Sequence, residues 1–125
     1  MAIKGVPGLS PEWYIPEVER EAMEVAEREG QLYESARFRI RSLTPPELES
    51  VMEFTAGGFG VPPRNYTAVL RLGLLGWERF EDPDTGRDYK ISLSNHNKIP
   101  SDIRMDLAGE IVQRSRQTED ESGNS

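Results

Sequence analysis

The apolar positions of this chain fall into short stripes separated by turn formers, and the period changes from stripe to stripe. Residues 16–29, PEVEREAMEVAERE, place Val18, Ala22, Val25 and Ala26 on one face of a helical repeat. Pro16 suits a first helical turn and Gly30 the position after the last, so a helix is predicted over 16–29. Its stripe is small-sided and the rest of its surface is glutamate, so it should dock weakly and fray without a partner. Residues 36–43, ARFRIRSL, alternate instead. Phe38 and Ile40 point one way and Arg37, Arg39 and Arg41 the other, which predicts a strand with one buried face.

Thr44-Pro45-Pro46-Glu47 then matches a capping box. The Thr44 hydroxyl can accept from the Glu47 N–H while the Glu47 carboxylate reaches back to the Thr44 N–H. Leu48, Val51, Met52 and then Thr55 continue one face of the helix this box starts. Residues 56–63, AGGFGVPP, read as a loop without regular structure. Asn65 is a candidate cap for the next helix, with Ala68, Val69, Leu72 and Leu75 as its buried stripe. Leu70 and Leu74 widen that stripe almost all round, as in a central core helix. Gly76 is its expected left-handed stop, with Trp77 folding back onto Leu72. Tyr89, Ile91 and Leu93 alternate with Lys90 and Ser92, so 80–82 and 88–93 read as the arms of a hairpin. Residues 94–98 form a polar loop. Ser101 caps a last helix whose stripe is Ile103, Leu107 and Ile111, flanked by Ala108 and Val112.

These elements predict a small single α+β domain, about four helices with a short antiparallel sheet or hairpin. It should cover residues 13–115, opening on the apolar anchor Trp13, Tyr14 and Ile15. Residues 1–12 carry two glycines and two prolines among few large apolar groups and read as a flexible arm. Residues 116–125 carry no large apolar group and read as a disordered acidic tail. The first residues lack the sustained apolar run of a secretory signal, and no stretch approaches the ~20 apolar residues of a membrane span.

Composition adds charge to this picture. The 125 residues carry 22 acids against 15 lysines and arginines, a net charge of −7, and the pI is about 4.8. Such a surface repels nucleic acid phosphates at long range, although a small basic patch can overcome that locally. Nucleic acid is therefore not an expected partner. There is no cysteine, which excludes disulfides, thiolate metal sites and cysteine nucleophiles. A reducing cytoplasm fits that composition.

Four stretches invite a chemical reading. Asp82-Pro83-Asp84-Thr85-Gly86-Arg87-Asp88 superficially resembles a calcium loop. An EF-hand needs glycine at its sixth position and a bidentate glutamate at its twelfth, and here those are Arg87 and Leu93. A hairpin turn needs nothing more than Pro83, Asp84 and Gly86 already offer. His96 is the sole histidine, so it lacks a second ligand for zinc, and an exposed loop position is expected for it. Gly57, Gly58 and Gly60 lack the Lys-Ser/Thr ending of a phosphate loop. Arg37, Arg39 and Arg41 would repel one another unless neutralised, and the acidic helix before them is the expected internal partner. An external acidic patch or phosphate is the functional alternative. No catalytic residue, metal or cofactor is predicted.

The succession FRIRSLTPPELE, LRLGLLGWERFEDPDTG and IPSDIRMDLAGEIVQRS resembles a group of small tailed-phage proteins encoded among virion morphogenesis genes and described as tail assembly chaperone-like. The residues that carry the resemblance are Phe38, Ile40, Arg41, Leu43 and Thr44, then Gly73, Leu74, Gly76, Trp77 and Glu78. The resemblance covers roughly residues 36–115 but not the arm at 1–15 or the glycine loop at 56–60, and its signatures are structural rather than catalytic. The resemblance implies a non-enzymatic protein of the host cytoplasm that holds a tape-measure or tube protein during tail assembly. Two alternatives stand beside it. One is a virion component at the tail or head–tail junction. The other is an acidic phage inhibitor of a host defence complex. The resemblance names no contact residue. Aromatic groups on mobile segments and the arginine strand make Trp13, Tyr14, Phe59, Arg37, Arg39 and Arg41 the candidates for partner binding, with self-association left open.

Overall fold

The computed structural model describes residue 2 and residues 11–123, with side chains described as far as residue 117. Most of the expected arm over 1–12 lies outside the described residues, but Glu12 does not: it opens strand β1 (Glu12–Tyr14). Then come α1 (Glu17–Arg28), β2 (Arg37–Ile40), α2 (Pro45–Val51), β3 (Glu53–Thr55) and β4 (Gly58–Gly60). Helix α3 (Tyr66–Gly73) leads directly into β5 (Leu74–Glu78), and α4 (Ser101–Gly123) ends the chain. Short 3-10 segments occupy Pro63–Asn65 and Leu93–Lys98. The described residues form a small α+β domain with a three-stranded antiparallel sheet, ordered β1-β2-β5, and a separate β3-β4 hairpin.

Strand β2 is central, and its alternation sets which side of the sheet is inside. Phe38 lies opposite Tyr14 and Trp77, and Ile40 opposite Leu74. All five side chains are buried on one face. Helix α3 brings Val69 and Leu70 to that face, α4 brings Leu107, Ala108 and Ile111, and α2 brings Leu48 and Val51. Each such large side chain is worth roughly 1.5–3 kcal/mol when fully buried. The other face keeps Trp13, Arg39 and Leu75 exposed.

The capping box forms as predicted. Glu47 N–H donates to Thr44 Oγ1 at 3.3 Å, and Thr44 N–H donates to Glu47 Oε1 at 2.9 Å. Thr55 does not continue that helix, because the chain turns extended at Met52. Residues 56–63 are not irregular throughout. Glu53–Thr55 and Gly58–Gly60 pair across a two-residue connection, with Gly58 at φ +111°. Nor does Asn65 cap α3. Its amide instead donates to Val51 O at 2.9 Å and Glu53 Oε2 at 3.1 Å.

The largest departure is at LLGWE, expected as the end of a helix and found as β5. Helix α3 stops at Gly73 because it runs against α4. A Cβ on Gly73 would lie 2.8 Å from Ile111 Cγ2 and 3.3 Å from Arg41 O. Gly73 O in turn accepts from Arg41 N–H at 2.9 Å. Beyond that contact the open edge of β2 supplies backbone partners that a continued helix could not reach. Gly76 therefore keeps a negative φ instead of acting as a left-handed stop.

The run after the acidic turn does not become a strand. A single bridge joins Glu81 and Asp88, and Tyr89 N–H donates to Phe80 O at 2.9 Å. Past Tyr89 no strand lies alongside among the described residues, and Ile91 and Leu93 remain exposed. The segment is held by its rings instead. Phe80 packs on Tyr89 at 4.8 Å and on Trp77 at 5.3 Å, and Trp77 Nε1–H donates to Tyr89 O at 2.9 Å.

Helix α4 begins at Ser101 itself, with Pro100 O accepting from Arg104 N–H at 2.9 Å. Its predicted stripe faces the core, joined by Ser115, whose hydroxyl accepts from Leu43 N–H at 2.8 Å and donates to Ile111 O at 2.6 Å. The backbone stays helical to Gly123, past the point at 116 where a disordered tail is predicted. Adding turns to a formed helix is far easier than nucleating one, so an apolar stripe is not required there.

Candidate partner-binding surface

Two surfaces expose aromatic groups on a rigid base. The first is the β3-β4 hairpin. Phe54 and Phe59 are cross-strand partners with ring centroids 4.9 Å apart, and they are 86% and 50% exposed. The turn is braced by Thr55, whose hydroxyl donates to Gly58 O at 2.8 Å and accepts from Gly57 N–H at 3.3 Å. Glu53 at the base pairs with Arg64, and Arg116 Nη2 donates to Phe59 O at 3.3 Å. The hairpin thus presents two adjacent rings to solvent, the residue type that most often anchors a binding interface. Phe59 is among the sequence candidates, but Phe54 is not. The near-symmetry of Phe54-Thr55-Ala56-Gly57-Gly58-Phe59 about a small turn is the signal that marks the pair.

The second surface is the open face of the main sheet. Trp13 is 39% exposed, and the Arg37 guanidinium stands over its ring at 4.2 Å. Arg37 Nε also donates to Glu78 Oε2 at 2.7 Å, and this bond holds the Glu78 carboxyl below the usual carboxylate range. Arg39, opposite Trp13 in the register, is exposed and has no ion-pair partner among the described residues.

The other arginine and aromatic candidates are engaged within the molecule. Tyr14 is buried, and its hydroxyl donates to Asp106 Oδ1 at 2.5 Å. Burial, with that carboxylate beside it, raises its hydroxyl far above the ordinary phenol range. Arg41 makes a bidentate pair with Glu47 at 2.9 and 2.8 Å. The partners of the arginine strand are therefore Glu78 of β5 and Glu47 of α2, not the glutamates of α1. Those two acids are brought beside β2 by sheet pairing and by the sharp turn into α2.

The DPDTGRD segment is a turn. Gly86 N–H donates to Asp82 O at 2.8 Å, Asp82 N–H to Arg87 O at 2.8 Å, and Asp84 N–H to Asp82 Oδ1 at 2.9 Å. Gly86 has the positive φ, +69°, that the sequence calls for. Among the described residues no group of three or more His, Asp or Glu is placed to hold a metal ion. His96 differs from expectation. It is buried in the 3-10 segment, edge-on to Trp77 at 5.9 Å. Burial lowers its pKa, and the cations of Arg104 and Arg71 lower it further. Nothing in SNHNKIP signals this, because the groups packed against the segment, Trp77 of β5 and helix α3, are distant in sequence.

No helix among the described residues is long and apolar enough to cross a membrane. Comparison with protein-family models, curated proteins and solved structures finds no match to this chain.

Proposed function

We propose that this chain is a non-catalytic assembly protein of a tailed phage, binding an apolar segment of a tube or tape-measure protein before it polymerises. One observation carries the binding part of this reading: the Phe54–Phe59 pair stands exposed on a braced hairpin. Two large rings lose little conformational freedom on binding when their backbone is already fixed. The net charge of −7 keeps such a surface soluble beside apolar clients. The phage part rests on the resemblance over residues 36–115. Its residues Phe38, Ile40, Leu43, Leu74 and Trp77 are buried, so they speak for a shared frame and leave the contact to the hairpin.

The test is co-expression of the tagged chain with the tail-tube and tape-measure proteins. Wild type should co-purify one of them, and Phe54→Ser with Phe59→Ser should reduce the yield of complex at least tenfold at an unchanged melting temperature. Absence of any such complex from wild type removes the assembly role. Mass spectrometry of purified particles then separates a transient chaperone, which is absent, from a virion component, which is present in fixed copy.

A further inference from the structure

His96 is 6% exposed, yet neither of its ring nitrogens has a hydrogen-bond partner among the described residues. A buried polar group left in this state costs about 1–3 kcal/mol. The ring borders a hollow lined by Thr67, Arg71, Leu93, Ser94 and Asn97. Two cations act on it, Arg71 from α3 and Arg104 from α4, while the Trp77 ring of β5 packs beside it. No carboxylate is among the groups that act on the imidazole.

The arginines beside the hollow differ from those engaged in ion pairs. Arg37, Arg41, Arg64, Arg79 and Arg114 each pair with a carboxylate. Arg104 instead donates to His96 O at 2.7 Å and Thr67 Oγ1 at 2.8 Å, which ties its guanidinium to two residues that line the hollow. Arg71 is exposed and has no ion-pair partner among the described residues. Two unneutralised guanidinium groups, a buried imidazole in want of a partner, two hydroxyls and a carboxamide together are the donor set that oxyanions recruit.

We propose that this hollow binds a phosphate-type oxyanion, with Arg71 and His96 as direct donors and Arg104 fixing the floor of the site. The inference is independent of the assembly role. The anion would satisfy the imidazole N–H and neutralise the two arginines, so binding and protonation of His96 reinforce one another. The preference is for a compact anion on a small molecule, because the net charge of −7 repels extended polyanions.

His96 is the only histidine, so its Cε1–H gives a single, unambiguous NMR signal. The experiment titrates the full chain with sulfate, whose charge is fixed through the range, at constant ionic strength made up with chloride. Sulfate should shift the His96 signal saturably and raise its titration midpoint, and inorganic phosphate should compete for the same shift. Arg71→Gln should weaken sulfate at least tenfold, whereas Arg87→Gln, in the distant acidic turn, should leave it unchanged. Equal responses to sulfate and chloride, or Arg71→Gln binding like wild type, overturn the proposal. The wild-type arm decides even if a variant misfolds.

Discussion

Helix α2 has 7 residues and α1 has 12, yet the shorter one is the better anchored. Both begin beside a proline and both show an apolar stripe in the sequence. Helix α2 has a reciprocal cap, a bidentate Arg41–Glu47 pair, and two large side chains, Leu48 and Val51, in the core. Helix α1 has no side-chain cap of its own, buries only Ala26, and leaves Val18 and Val25 in solvent. Anchoring follows from the size of the groups buried and the satisfaction of the first turn, and not from length or periodicity.

The contrast can be broken by substitution. Leu48→Ala should destabilise the domain by about 2–5 kcal/mol, read from urea denaturation. A loss below ~1 kcal/mol would mean that α2 is as loosely held as α1. Next in size is Gly73→Ala, where the new methyl meets Ile111 and the Arg41 carbonyl. It should lower stability by about 1–3 kcal/mol, and a neutral result would show that α3 and α4 can separate without penalty.

The capping pair makes a smaller, pH-dependent contribution. Hydrogen bonds from Arg41, and then from Thr44, lower the Glu47 pKa from 4.5 to about 2. The folded value lies below the unfolded one, so the stabilisation is complete above pH 4.5 and is lost as the pH falls towards 2. With side chains about a quarter exposed, solvent screening leaves roughly 1 kcal/mol. The stability difference between wild type and Glu47→Gln should open as the pH rises from about 2 to 4.5 and stay constant above it, and curves parallel through that window would refute the assignment. The smallest effect is in α1. Val25→Ala should change stability by less than ~0.5 kcal/mol. Hydrogen exchange should be faster in α1 than in α2, and comparable protection would erase the distinction.

What could be read in advance follows the same division. Local rules were sufficient where partners lie within a few residues: the Thr44–Glu47 box, the Phe38/Ile40 alternation, the Gly86 turn and the Leu107/Ile111 stripe. They failed where a distant segment supplies the partner. LLGWE reads as helix by composition and becomes a strand because β2 lies alongside. Ile91 and Leu93 alternate correctly but meet no strand. His96 is buried beside Trp77 of β5 and against α3, both well upstream of it. Of the candidate contact groups, Phe59, Trp13 and Arg39 are exposed, whereas Tyr14 and Arg41 are engaged internally. The Phe54–Phe59 pair was half visible, because a glycine-rich hairpin looks like a loop until its strands are counted.

Asp106 holds a further consequence. Its Oδ2 accepts the Glu17 N–H at 2.7 Å while its Oδ1 takes the Tyr14 hydroxyl, so the cap that α1 lacks locally comes from 89 positions downstream. During synthesis α1 leaves the ribosome early but gains this cap only once the start of α4 has emerged. The earliest helix to be made thus depends on α4 for its cap, and a nascent chain stalled before residue 106 should carry an uncapped N-terminal segment that an early-arriving protein can engage.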